Sequence, residues 1–315
     1  MTDAERGPGS DRIRVVGSLN VDVTLRVGRL PGAGETILAR GRALAFGGKG
    51  GNQAVAIATL GGQVDFIGAV GDDADGTRYL DHLRSRGVHV DGTEVVRGAE
   101  TGTAVILVDD SGENLIVVDP GANAVLDADR VAEQLRGRSA GVTMAQLEVP
   151  VAALESAAAM LHADETLILN PAPMPPDPTT LAAVLARTDV LVPNRSELGQ
   201  LAGREEPRTV DEVDACVAQI DFKGAVVVTL GADGAVVYEP GTPPHHESAP
   251  AVQPVDTSGA GDAFCGARAL ALSRGGSLNQ AARWAVDVAS RSTERVGAQL
   301  AADFTAPALP IGGSA

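Results

Sequence analysis

Val142-Thr143-Met144-Ala145-Gln146-Leu147 opens the stretch that decides the fold. A helical run follows from Val151, then Thr166-Leu167-Ile168-Leu169, another helical run, Val190-Leu191-Val192, helical runs from Arg195 and over Val210 to Ile220, and Ala225-Val226-Val227-Val228-Thr229-Leu230. Short aliphatic runs without polar alternation are strands buried on both faces, and the interposed helices are the crossovers that parallel neighbours require. The expected fold is therefore α/β, a doubly wound, mainly parallel sheet flanked by helices. Working outward, Ile13 to Gly17, Val64 to Val70 and the helix from Ala74 to Arg86 keep the same rhythm. Two strand-only stretches, residues 21–46 and 92–118, break it. Strands without crossover helices do not join such a sheet easily, so they are expected to form a small β-sheet lid. The open face of a lid needs cover, which a second copy of the chain would supply. The implied organisation is a disordered leader over 1–12, one α/β domain over 13–305 with the lid strands inserted, and a tail over 306–315. The proline-rich patches Pro171 to Pro178 and Pro240 to Pro254 read as loops.

A formal net charge of -16 on 315 residues argues against nucleic acid and anionic membrane as partners, because both are held through basic patches. No apolar run approaches the ~20 residues of a membrane span, and the first twelve residues lack an apolar signal core, which points to a cytoplasmic protein. Cys216 and Cys265 are too few and too far apart for a disulfide framework or a zinc site. The five histidines show no metal-ligand spacing and read as surface residues. The only lysines are Lys49 and Lys223, and Lys49 lies inside a glycine-rich motif.

That motif is Gly47-Gly48-Lys49-Gly50-Gly51-Asn52-Gln53, a loop opening a helix. A second one, Asp256-Thr257-Ser258-Gly259-Ala260-Gly261-Asp262-Ala263-Phe264-Cys265-Gly266, runs into an alanine-rich helix. A helix start offers unpaired N–H groups and about half a positive charge to an anion. A carboxylate repels phosphate, so Asp262 makes sense as a group that takes a proton from the attacking nucleophile. Neither motif is a P-loop, since Gly50 follows Lys49, and Phe264 breaks the dinucleotide fingerprint.

Asn20 and Asp22, Gly47 to Gln53, Gln146-Leu147-Glu148, Asn170-Pro171-Ala172-Pro173, Pro193-Asn194-Arg195-Ser196-Glu197, Thr229-Leu230-Gly231, Asp256 to Asp262 and Gly297-Ala298-Gln299 stand in the order found in the PfkB carbohydrate kinases. Over about residues 13–303 the chain resembles that family, most closely its ribose-phosphorylating branch. The resemblance implies ATP-dependent transfer of a phosphoryl group to the primary 5-hydroxyl of a pentose, D-ribose first. Deoxyribose, fructose or a nucleoside are alternative acceptors, and a non-catalytic sugar-binding protein of the same fold is a further alternative. It also implies a homodimer paired through the lid sheets. Carried over residue by residue, Asp262 matches the base, and the Gly259, Ala260 and Gly261 amides match an anion hole for the transferred group. Asn20, Asp22, Gly48, Lys49, Asn52 and Glu148 match the sugar-binding positions. Asn194 and Glu197 match a motif that orders water around Mg²⁺ and the phosphates; read alone, that pair is a helix cap. Thr229, Gly231, Gly234 and Asp287 match nucleotide contacts. Asp256 and Ser258, with Ser292, Arg295 and Gly297, match a K⁺ site, although Leu300-Ala301 stands where the family continues with Pro-Ser.

Overall fold

A computed structural model describes residues 11–309; residues 1–10 of the expected leader and 310–315 of the expected tail lie outside the described residues. The first strand, β1 (Arg12–Val16), is followed by β2 (Asn20–Arg26), β3 (Gly41–Gly47), α1 (Lys49–Thr59), β4 (Gln63–Gly71), α2 (Ala74–Ser85), β5 (Val88–Val96), β6 (Gly102–Val108) and β7 (Asn114–Asp119). The chain then alternates through α3 (Ala128–Leu135), β8 (Val142–Gln146), α4 (Val151–Met160), β9 (Thr166–Asn170), α5 (Ala182–Arg187) and β10 (Val190–Leu191). After α6 (Arg195–Leu201) and α7 (Val210–Val217) come β11 (Ala225–Thr229), β12 (Ala235–Tyr238), β13 (His245–Glu247), α8 (Ala260–Ser273) and α9 (Leu278–Ser292).

The large sheet has the order β13-β12-β11-β10-β9-β8-β1-β4-β5. It is parallel from β5 to β11, and the hairpins to β12 and β13 are antiparallel. Winding runs from β1 to β4 and β5 on one side and to β8 through β11 on the other. The reversal falls between β1 and β8, and in such sheets a ligand crevice opens beyond the carboxyl ends of the strands at that point. Neighbouring side chains on a strand face opposite layers, and both layers are helical, which is why the central strands are mostly aliphatic and buried on both faces. Val15 packs in a core with residues of α1, α8 and α9, whereas Val16 packs with residues of α3, α4 and α5.

A separate four-stranded sheet, β3-β2-β6-β7, forms the expected lid. Two expectations about its extent are corrected. Residues 92–96 belong to β5, paired in parallel with β4 in the large sheet past a register shift, so the second lid segment begins at Gly102. Residues 36–39 form no strand; after β2, the stretch to residue 46 holds only β3, which pairs with β2 from Gly41 to Gly47. The terminal boundaries also move. Arg12 pairs with Asp65 at 2.8 Å within the sheet, and Pro307 accepts a 2.9 Å hydrogen bond from Trp284 Nε1. The proline-rich stretch 240–254 carries β13. No helix among the described residues is long and apolar enough to cross a membrane.

Candidate active site

The crevice at the switch point is walled by the loops that leave β1, β8, β9, β10 and β11 and by the first turns of α1 and α8. Gly17 ends β1 against α1: a Cβ there would stand 2.9 Å from the Gly50 Cα and 2.0 Å from Gln146 Oε1. Such contact needs bare backbone on both sides, so the start of α1 is drawn to the strand ends. Gly48, the residue before α1, has φ 82°, and Gly259, before α8, has φ 69°. A Cβ on Gly259 would lie 1.9 Å from the Ala298 carbonyl oxygen. Both glycine motifs are thus fixed by left-handed backbone at the residue that starts a helix.

Asp262 sits in the first turn of α8 and is 8% exposed. Its Oδ2 accepts from Asn52 Nδ2 at 2.9 Å and its Oδ1 from Gln53 Nε2 at 3.0 Å, so both glycine motifs meet at this carboxylate. Gln53 in turn accepts from Gln146 Nε2 at 2.5 Å. Burial pushes the Asp262 carboxyl above the usual carboxylate range, while Lys49 and the two amides pull the other way. A cleft beside it is lined by Lys49, Asn170, Asn194, Glu197, Thr229, Gly259, Gly261 and Cys265. Within the turn, Ala260 N–H folds back onto the Thr257 carbonyl at 3.3 Å. Of the three expected donors, Gly259 and Gly261 line the cleft, and Ala260 is engaged inside the turn.

On the other side, the mouth of β2 gathers Asn20, Asp22 and Glu148. Glu148 Oε2 accepts from Ser18 Oγ at 2.5 Å and from the Lys49 amide at 2.9 Å. Asn20 Oδ1 accepts from Asn123 Nδ2 at 2.8 Å, and Asn123 also clamps both backbone groups of Leu19. Burial, with Glu148 and Asp262 nearby, pushes Asp22 up to about 7. Lys49 is buried too, but the Asp262, Glu148 and Glu197 charges outweigh that burial and hold its ammonium above its ordinary pKa. This is the site's one cationic side chain from a lysine, placed where acidic groups would otherwise repel a phosphate.

Asn194 and Glu197 form a full capping box at α6: the Glu197 amide donates to Asn194 Oδ1, and the Glu197 carboxylate accepts from the Asn194 amide, each at 2.8 Å. The cap and the cleft wall coincide, since both residues line the cleft. Thr229 joins them through a bridge to Asn194. Gly231 and Gly234 shape the turn between β11 and β12, where a Cβ on Gly234 would strike the Glu247 carbonyl at 2.0 Å. Asp287 does not join the cleft wall; it pairs with Arg291 along α9 at 2.6 Å.

The five residues expected at a cation site do converge. Asp256 accepts from the amides of Ser258 and Gly297, each at 2.9 Å, and a small recess beside it is lined by Ser258, Ser292, Arg295 and Gly297. The Arg295 guanidinium is turned away to Asp303 at 2.5 Å. Hydroxyl, carboxylate and carbonyl oxygens are hard donors of the kind alkali and alkaline-earth ions take. Among the described residues no cluster of three or more His, Cys, Asp or Glu suits a metal ion.

Sequence reasoning left out Ser18 and Asn123, which carry no motif, and assigned His82 to the surface. His82 is instead stacked on Phe46, with ring centroids 4.6 Å apart. Both cysteines are buried, as small apolar residues would be.

A doubly wound sheet with a lid, an anion-ready helix start and a buried carboxylate facing a polar cleft define a phosphotransferase architecture. Residues 10–304 match the profile of the pfkB family carbohydrate kinases. The chain belongs to that family and is a sugar kinase. It is 35% identical over 298 residues to a ribokinase of Schizosaccharomyces pombe, covering 91% of this chain and 93% of that one. It is also 35% identical over 294 residues to a deoxyribokinase of Salmonella typhi, covering 91% and 94%. The structure of Arabidopsis thaliana ribokinase complexed with ribose and ATP superimposes with a TM-score of 0.82 at 33% identity, covering 92% of this chain and 94% of that one.

Proposed function

We propose that this chain transfers the terminal phosphoryl group of ATP to the 5-hydroxyl of D-ribose. The observation that carries the reading is Asp262, oriented by Asn52 and Gln53 at the start of α8 and facing the cleft. Asp262 takes the proton from the attacking hydroxyl while the Gly259 and Gly261 amides stabilise charge on the transferred group, with Ala260 shaping the turn. A loose transition state asks mainly for positioning, so a carboxylate that is a weak base in water is adequate here. Asn20, Asp22, Gly48, Asn52 and Glu148 bind the sugar hydroxyls. Lys49 spans both halves, with its amide on Glu148 and its side chain on the cleft wall. Thr229, with the Gly231 and Gly234 turn, lies on the nucleotide side. Asp287, paired with Arg291 on α9, lies off the cleft wall described above.

Mg²⁺, when bound with ATP, neutralises phosphate charge; Asn194 and Glu197 hold its water shell, their carboxylate and amide being locked to each other and facing the cleft. The Asp256, Ser258, Ser292, Arg295 and Gly297 recess takes K⁺ through oxygen atoms. The lid pairs two copies of the chain, which covers Leu115, Ile116, Val117 and Val118 of β7, all exposed here. The domain, with the lid inserted, takes in Arg12 and Pro307 besides residues 13–305, and works in the cytoplasm.

Sugar-dependent release of ADP from ATP, measured with D-ribose, deoxyribose, fructose and nucleosides, with and without K⁺, tests the reading. Ribose is expected to give the highest kcat/KM. The 35% identity to a deoxyribokinase supports deoxyribose as the second acceptor, and a preference for it would replace ribose in the assignment. No turnover on any sugar would favour a binding protein.

Asp22 adds a pH dependence. Its carboxyl is protonated below about 7 in the folded protein, where an ordinary aspartate would be ionised, so sugar affinity should change through neutral pH. The accompanying stability term has a definite sign: the folded state holds the proton more tightly, so this contribution is full at acid pH and fades as pH rises through about 7. Calorimetric titration of sugar across this range should show an inflection that Asp22→Asn removes. An inflection unchanged in that variant would assign it elsewhere.

A further inference from the structure

Tyr79 and Gln299 lie outside every role described above, yet they join its two halves. The Tyr79 hydroxyl, fully buried, donates to the Gly47 carbonyl at 2.5 Å, at the point where lid strand β3 passes into the glycine-lysine loop. It accepts from Gln299 Nε2 at 3.2 Å. Gln299 Oε1 faces His82 Nε2 at 2.7 Å, which holds the amide with its N–H₂ toward the tyrosine. Phe46, the residue before Gly47, stacks on both rings of α2, with centroids 4.6 Å from Tyr79 and from His82. The hydroxyl also fills the space over α1, since a Cβ on Gly51 would come within 2.1 Å of it.

At its other end, Gln299 belongs to the segment that supports the phosphate turn. Ala298 O is packed on Gly259, and the Gly297 amide donates to Asp256. Arg86, just past α2, holds the Leu300 carbonyl at 2.6 Å. Helix α2 therefore grips the end of the lid strand through Tyr79 and the loop under the phosphate turn through Tyr79, His82 and Arg86. A buried hydroxyl with one donor and one acceptor partner cannot lose either cheaply, so displacement at one end is felt at the other.

We propose that Tyr79 and Gln299 are positioning residues that couple the sugar loop and lid strand to the phosphate turn, so that sugar and nucleotide strengthen each other's binding. The inference rests on the kinase reading above. Coupling between linked sites commonly amounts to about 5- to 150-fold in affinity, and about tenfold is expected here between sugar and a non-hydrolysable ATP analogue.

Tyr79→Phe keeps the ring stack and removes the hydroxyl. In this variant, sugar and analogue should each bind alone within about twofold of the parent, while the tenfold synergy measured by calorimetry falls to about one. Gln299→Met should do the same. A second readout uses the analogue alone: it should slow amide hydrogen exchange over residues 41–51 in the parent and leave that segment unprotected in Tyr79→Phe. Retained synergy and retained protection in both variants would overturn the tie. A parent that binds the analogue but shows neither effect would do so as well. A parent that binds no analogue would instead remove the kinase reading, which separates the two failures.

Discussion

Asp262→Asn is expected to lower kcat by about three to four decades, the upper part of the range for a positioned general base, while sugar affinity stays within about fivefold. The side chain keeps its size and one acceptor oxygen. What it loses is the ability to accept a proton, a loss felt only in the transition state. The surroundings can absorb the change. Both Asp262 oxygens accept from amide N–H₂ groups, and the new side chain would turn an N–H₂ toward one of them. Asn52 carries its Oδ1 buried without a hydrogen bond, so a flip of that amide supplies the acceptor the variant needs. The fold should hold and the measurement should report chemistry.

The pH profile gives an independent check. Burial holds the Asp262 pKa above that of an ordinary aspartate, and the base works only when ionised. The rate of the parent should therefore rise as pH climbs through that elevated value, and the residual rate of Asp262→Asn should lack this acid limb. Comparable turnover in the variant, or an unchanged acid limb, would remove Asp262 from the role of base.

How far the sequence could be read depends on the range of the interaction. Gly259 and Gly48 were legible because left-handed backbone before a helix is a local demand, and Asn194 with Glu197 was legible as a cap three residues wide. The central sheet was legible because β-branched runs such as Val226 to Val228 need no partner to identify them as strands. The lid boundary was not: residues 92–96 resemble lid strand in composition, and only pairing with β4 across a register shift assigns them to the large sheet. Asn123, bound 104 residues away to Leu19, and His82, stacked on Phe46, are products of tertiary approach with no local pattern. Arg268 is the strongest case. Within Ala267-Arg268-Ala269-Leu270 an arginine would ordinarily mark the wet face of a helix, whereas here it is 0% exposed.

Arg268→Met should make the protein more stable. Among the described residues none of the three guanidinium nitrogens has a hydrogen-bond partner. Arg14 shows what compensation looks like: also buried, it reaches Glu165 at 3.4 Å, Thr143 Oγ1 at 3.2 Å and the Arg138 carbonyl at 3.2 Å. Arg268 has no such set, and burial pushes its guanidinium down to about 9, with only Cys265 opposing. Because the unfolded chain holds that proton more tightly, the destabilisation is full below about 9 and is relieved only as pH rises toward the ordinary arginine value. At neutral pH the chain therefore carries an uncompensated buried charge. Methionine fills a similar unbranched volume without it. Replacing buried charge by apolar groups of like size is often worth 1–4 kcal/mol, and a gain of about 2–4 kcal/mol is expected for a charge with no partner. Denaturant unfolding at pH 7 should show a higher midpoint at unchanged slope. Since Arg268 is not on the cleft wall, kcat should stay within about twofold. The gain should shrink as the parent is taken above pH 9, because the parent then sheds the charge that methionine never carried. A loss of stability at pH 7 would mean that the guanidinium is compensated in solution, and the buried charge would then be part of what holds α8 in place.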